Sequence, residues 1–210
     1  MKKVTAITHL FLDIGGVLLT NGWDHHSRKQ AAIHFKLDWA ELEDRHHLIF
    51  GTYEEGKFTL EEYLGRVVFY KKQPFSLDEF RNFMFSQSRA YPEMIELVRQ
   101  LKIKYGLKII AVSNEARELN AYRIRKFELD SFMDAFISSC FVHIRKPDTE
   151  IFRLALDIAQ APVGQIVYIE NTPMFVQIAE DLGIQSILHT DYASTCAKLA
   201  TFGLYAPRPS

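Results

Sequence analysis

Five short apolar runs separated by helical patterns constrain this chain more than any other feature. They lie at 9–13 (HLFLD), 108–113 (KIIAVS), 135–139 (AFISS), 165–170 (QIVYIE) and 185–189 (QSILH). Runs of this length with no polar alternation, the last four of them rich in β-branched residues, suit strands buried on both faces, as inside a parallel sheet. Helical patterns separate them at 93–105, 115–129, 148–159 and 173–182. The first places Ile95, Val98 and Leu101 on one face and stops at Gly106; the last begins with Pro173 at its first position. Strand and helix in alternation predict a parallel α/β sheet.

Residues 24–90 break that rhythm with helix after helix. Asp38 with Glu41, Thr59 with Glu62 and Ser76 with Glu79 each show the spacing of an N-cap oxygen and an acid three residues on. Apolar stripes follow: Trp39, Leu42 and Ile49; Leu60, Tyr63, Leu64 and Val67; Leu77, Phe80, Phe83 and Met84. Stripes at this spacing read as packing. The expected organisation is an α/β core of residues 1–17 and 91–210, with an all-helical module of residues 18–90 inserted after the first strand.

Composition removes several function classes. With 25 basic and 26 acidic residues among 210, the chain offers no global pull toward nucleic acid or anionic membrane. Met1-Lys2-Lys3 before an apolar run imitates a secretory signal, but His9 interrupts the run and no cleavage site follows. No apolar stretch reaches membrane-helix length. The two cysteines, Cys140 and Cys196, lack paired spacing and read as free thiols in a reducing compartment. The expectation is a cytoplasmic protein with no nucleic-acid or membrane partner and a loose tail at 205–210.

Ligands of open parallel sheets bind outside the carboxyl ends of the strands. There the chain places Asp13, then Ser113-Asn114, then the stretch from His143 to Asp148 containing Lys146, then Glu170-Asn171. A carboxylate, a hydroxyl, an ammonium and a second carboxylate on one edge suit an electrophile bearing negative charge, such as a phosphate. The first carboxylate attacks, hydroxyl and ammonium hold oxygens, and a cation between the carboxylates neutralises developing charge. The tandem pairs His25-His26 and His46-His47 make poor chelates, because adjacent helical residues face apart.

FLDIGGVL at 11–18, IIAVSNE at 109–115, RKPDTEIF at 145–152, and IVYIENTP with AEDLGI within 166–184 occur in an order that resembles the haloacid dehalogenase superfamily across essentially the whole chain. The resemblance implies a Rossmann-like three-layer core, a small helical cap over the site, and most often a Mg²⁺-dependent phosphatase of small phosphorylated metabolites. Carried over by position, it implies Asp13 as the nucleophile that forms an aspartyl-phosphate. Ser113, Asn114 and Lys146 would bind phosphoryl oxygens. Asp13, the Gly15 carbonyl, Glu170 and Asn171 would hold the metal.

Two positions depart from the family pattern. Gly15 stands where the second acid of the first motif usually protonates the leaving group, a contribution of about 10²–10⁴ in rate. Asn171 stands where the last motif usually carries an acid, so Mg²⁺ is expected to bind weakly. Trp23, His25 and His26, at the junction between core and insertion, are expected to face substrate, and the histidines could supply the missing acid. A loop at 50–58 is expected to face it too, with Tyr53 closing over the ligand. The motif losses equally suit a catalytically weak or inactive binding or regulatory protein. The third option, a metal-free 2-haloacid dehalogenase, lacks the expected residues after its nucleophile.

Overall fold

The computed structural model describes residues 6–205. Met1-Lys2-Lys3 lies outside them, as does the expected tail beyond Tyr205. At the centre is one sheet of five strands: β1 (His9–Leu12), β2 (Lys108–Ser113), β3 (Ala135–Ser138), β4 (Ile166–Glu170) and β5 (Gln185–Leu188). All neighbours pair in parallel, in the order β3-β2-β1-β4-β5. β1 therefore lies between β2 and β4, where the chain's winding reverses direction.

Side chains along each strand alternate between two apolar layers, as the pleat requires. Leu10, Leu12, Ile109, Ala111, Val167 and Ile169 face one layer, with Met94, Val98 and Leu101 of α5 (Pro92–Tyr105) and Leu199 of α10 (Tyr192–Thr201). Phe11, Ile110, Val112 and Tyr168 face the other, with Ile151, Phe152 and Ala155 of α8 (Glu150–Ala159) and Ala179 of α9 (Pro173–Asp181). The strands are apolar throughout because both faces are covered. This is the expected three-layer α/β core.

Between β1 and α5 run four helices: α1 (His25–Phe35), α2 (Trp39–Glu54), α3 (Leu60–Val67) and α4 (Leu77–Ser86). The three expected N-caps are present. Asp38 accepts from the Glu41 N–H, and Thr59 and Ser76 form reciprocal boxes with Glu62 and Glu79, each cap being worth about 1 kcal/mol. The expected stripes bury into a third cluster that includes Leu42, Tyr53, Leu60, Leu64, Phe80 and Met84. Each fully buried aliphatic or aromatic side chain contributes roughly 1.5–3 kcal/mol. The cluster also takes in Ala116 and Leu119, at the start of α6 (Arg117–Lys126), so the insertion docks on the core through α6.

α1 begins at His25 and His26, the residues expected at the junction, and runs on through a stretch for which no cap or stripe was read. Its buried positions are Ser27, Arg28, Ala31 and Ala32, so it carries no large apolar stripe; its legible signal is Asp24, which accepts from the Ser27 N–H. The chain enters and leaves the insertion side by side: Thr20 N–H donates to Arg89 O, and Tyr91 N–H to Leu18 O, both at 2.8 Å. Among the described residues no helix is long and apolar enough to cross a membrane.

Candidate active site

The reversal in strand order opens a crevice at the carboxyl ends of β1 and β4. Asp13 follows β1 and Glu170 ends β4, and the ladder between them closes with Asp13 N–H donating to Ile169 O at 3.0 Å. Lys146 reaches them from the segment between α7 (Ser139–Val142) and α8. Asn114, just past β2, holds that segment at both ends of one residue. Its Oδ1 accepts from the Lys146 N–H and its Nδ2 donates to the Lys146 carbonyl, each at 2.8 Å.

The Lys146 ammonium lies 3.1 Å from Asp13 Oδ1 and 2.6 Å from Glu170 Oε2, and it donates to Tyr168 Oη at 3.1 Å. Burial pulls the Lys146 pKa down, but Asp13 and Glu170 raise it by more, so the ammonium stays charged. Burial pushes the Asp13 carboxyl up to about 7, against the pull of Lys146 and Ser113. Glu170 is fully enclosed. Its Oε1 accepts from the Asn171 and Thr172 N–H groups, both at 2.9 Å, and its Oε2 from Lys146 and Tyr168.

Of the two glycines after Asp13, only Gly16 is demanded by geometry. It has φ of +74°, and a Cβ there would meet the Asn171 amide at 2.1 Å. A Cβ on Gly15 would find space, with Asn21 Oδ1 at 3.5 Å and Arg123 Nη1 at 4.0 Å.

Among the described residues no group of three or more His, Cys, Asp and Glu is placed to hold a metal ion. One arm of the Asn171 carboxamide lies 2.9 Å from Glu170 Oε1 and 3.2 Å from the Gly15 carbonyl. With nitrogen on that arm it donates to both oxygens. With oxygen there, three oxygens face one another, an arrangement that a cation would relieve. Of the residues the resemblance places at the metal, Asp13, Gly15 and Asn171 line one cavity, with one formal negative charge among them.

A cavity of about 270 Å³ covers this edge. Asp13, Gly15, Asn114, Lys146, Asn171 and Phe175 line its core side, and Trp23, Arg28, Phe50, Tyr53 and Glu54 its insertion side. Three expectations need correction. Ser113 and Glu170 are buried and do not line the cavity. Ser113 Oγ accepts from the Ile14 N–H at 3.4 Å, beneath Asp13, so both residues support the site from behind. The Asn114 carboxamide is spent on the Lys146 backbone rather than on a ligand. His25 and His26 also lie outside the cavity. Asp24 caps α1 and turns both histidines into solvent, where His25 pairs with Glu43 at 3.1 Å.

Trp23 and Tyr53 do line the cavity, although residues 50–54 are helical rather than a loop. Glu54 falls within the 50–58 stretch expected to face substrate, although it was not singled out there; Arg123 and Arg145 were missed as lining residues. Arg145 belongs to the RKPD stretch and was within reach. Arg123 sits on α6 with no local signal of the cavity.

A family model described as haloacid dehalogenase-like hydrolase matches residues 7–183. A protein from Thermotoga maritima named phosphorylated carbohydrates phosphatase is 28% identical over 69% of this chain and 68% of its own length. The crystal structure of a HAD family enzyme from Bacteroides thetaiotaomicron superposes with a TM-score of 0.76 at 20% identity, covering 91% of this chain and 98% of that one. The same enzyme in complex with magnesium and inorganic phosphate gives 0.74 at 20% identity, covering 90% of this chain and 99% of that one.

Proposed function

Because the chain belongs to the haloacid dehalogenase-like hydrolase family, we propose that it is a phosphatase of small phosphorylated metabolites with Asp13 as nucleophile. The observation that carries this reading is the Asp13–Lys146 pair at the mouth of β1, 3.1 Å apart and facing a cavity of metabolite size. The names of the Thermotoga relative and of the magnesium and phosphate complex support it. In this reading residues 18–90 are a helical cap over a core of 1–17 and 91–210, and the cap side of the cavity selects the substrate.

A carboxylate attacking phosphorus divides hydrolysis into two displacements through an aspartyl-phosphate. Lys146 orients Asp13 and, once a phosphoryl group enters, shares its charge with the transferring oxygens. Glu170 keeps Lys146 in place from behind, and Asn114 fixes the backbone that carries it. Asp13, the Gly15 carbonyl and Asn171 would hold Mg²⁺. When bound there it supplies further neutralisation of the phosphoryl charge.

A screen of phosphorylated metabolites with and without Mg²⁺, run beside Asp13→Asn, tests the proposal. Turnover that needs Mg²⁺ and vanishes in Asp13→Asn is the expected result. Turnover that survives in Asp13→Asn overturns it. Phosphate binding with no turnover of any ester would favour a binding or regulatory protein, the reading that the neutral Asn171 and the fully occupied Glu170 support.

A further inference from the structure

We infer that Glu54, in the last turn of α2, is the general acid and base of this site, supplying from the insertion the proton that Gly15 cannot. The inference rests on the phosphatase reading and extends it.

In-line displacement puts the leaving oxygen on the far side of phosphorus from the attacking atom. With Asp13 on the sheet edge, that far side is the insertion wall of the cavity, where Glu54 stands. A sphere of the cavity's volume is about 8 Å across, room for a phosphoryl group with one hydrogen-bond length on either side.

The other carboxylates lining the cavity are committed. Asp24 caps α1 through its bond from the Ser27 N–H at 2.8 Å, and Glu115 is paired with the buried Arg123. Among the described residues no histidine lines the cavity. Glu54 Oε2 is paired with Arg145 Nη2 at 2.6 Å, but Arg145 is partly exposed and the pair opens on the cavity, unlike the sealed Glu115–Arg123 pair. It is a buried carboxyl at the cavity wall whose partner is a partly exposed side chain.

Its position is held from the core. Ser139 Oγ donates to the Glu54 carbonyl at 2.7 Å, and His143 Nδ1 lies 2.6 Å from the Glu55 carbonyl. Gly56, with φ of +68°, fits against the Cys140 backbone so closely that a Cβ would lie 2.3 Å from the Cys140 oxygen. The acid is carried by the insertion but fastened to α7 and its C-cap His143, just after β3.

Burial holds the Glu54 carboxyl up at about 7, with Arg145 and Lys146 pulling it down and Glu115 pushing it up. A carboxyl titrating there can give and take a proton near neutral pH.

In the first step an Asp13 oxygen forms a bond to phosphorus, and the bond from phosphorus to the leaving oxygen breaks. Its electron pair stays on that oxygen, which takes the Glu54 proton and departs as the alcohol. In the second step Glu54 carboxylate takes a proton from water as the water oxygen bonds to phosphorus. The phosphorus–Asp13 bond breaks, releasing inorganic phosphate and restoring both side chains.

The test compares the parent, Glu54→Gln and Glu54→Asp on an alkyl and an aryl phosphate, by stopped flow and across pH. In Glu54→Gln the first step on the alkyl ester should fall by about 10²–10⁴, and on the aryl ester, whose leaving group needs no proton, by less than about ten-fold. The aryl ester should then give a burst equal to the enzyme present, followed by slow turnover, because the base for the second step is gone. The acid limb of the pH profile for that second step should vanish. Glu54→Asp should recover part of the alkyl rate, with melting curves confirming that all three proteins fold. Equal losses on both esters with no burst, or no loss at all, would overturn the assignment. Asp13→Asn separates the two readings: turnover surviving there defeats the phosphatase mechanism itself, whereas a Glu54 failure with Asp13→Asn dead defeats only the acid assignment.

Discussion

The Lys146 ammonium lies 2.6 Å from Glu170 Oε2, and both side chains are sealed from solvent. Asp13, itself buried at 8% exposure, is the member of their cluster that reaches the cavity. A buried cation between two carboxylates is costly to bring out of water, and its removal leaves like charges facing each other.

Lys146→Met should therefore cost about 3–5 kcal/mol of stability at pH 8. The cost should shrink by pH 5, where the orphaned carboxylates can take a proton. Urea unfolding at the two pH values measures this. A loss of equal size at both would mean that packing of the lysine stem, rather than charge, is what the substitution removes.

Asn171→Asp replaces a carboxamide with a carboxylate of the same shape against Gly16. It should tighten Mg²⁺ by about ten-fold or more in calorimetry, the equivalent of about 1.4 kcal/mol. Unchanged affinity would place Asn171 away from the metal.

Gly56→Ala should destabilise the protein and loosen the end of α2. Gly106→Ala is the control, because Gly106 has a similar φ of +65° but nothing within 4 Å of an added Cβ. Both pay for left-handed backbone, roughly 1–2 kcal/mol; only Gly56→Ala meets the Cys140 backbone. Thermal unfolding should show the larger loss at Gly56, and KM should rise there alone. Equal losses would show that the contact yields without cost.

His46 supplies a pH dependence. It is buried against Phe50, with Nδ1 2.7 Å from Tyr63 Oη, and burial pulls its pKa down to about 3. Between its unfolded value near 6.5 and its folded value, the unfolded chain binds the extra proton. This contribution is complete above pH 6.5 and is lost as pH falls toward 3, by roughly 3 kcal/mol at pH 4. In His46→Phe the decline between pH 7 and pH 4 should be shallower by that amount. An unchanged slope would show that His46 protonates without opening the insertion.

The parallel core was legible because its strands are short apolar runs ended by the residues that carry the chemistry. Each run from 9–13 to 185–189 became a strand in the expected sheet. The helices at 39–54, 60–67 and 77–86 were legible through their caps and stripes. α1 was not, because Ala31, Ala32 and the buried Arg28 do the packing that large apolar residues do elsewhere, and Arg28 owes its burial to Glu43, fifteen positions away.

Strand ends alone placed Asp13, Lys146 and Glu170 at one edge, since a parallel sheet aligns the carboxyl ends of its strands. Which of them meets the cavity was a tertiary matter. Glu170 turned inward because its oxygens close on the Asn171 and Thr172 N–H groups and on Lys146, and Ser113 dropped beneath the Ile14 N–H. His25 and Glu54 make the same point from opposite sides. Adjacency to the junction made His25 a candidate, yet the cap at Asp24 turns it into solvent. Glu54 was legible only as one member of the 50–58 stretch, and the fit of Gly56 against the Cys140 backbone is what brings its side chain to the cavity. A local pattern determines where a chain bends and which face it buries; which side chains then share a cavity depends on contacts between segments distant in sequence, and no local pattern encodes those.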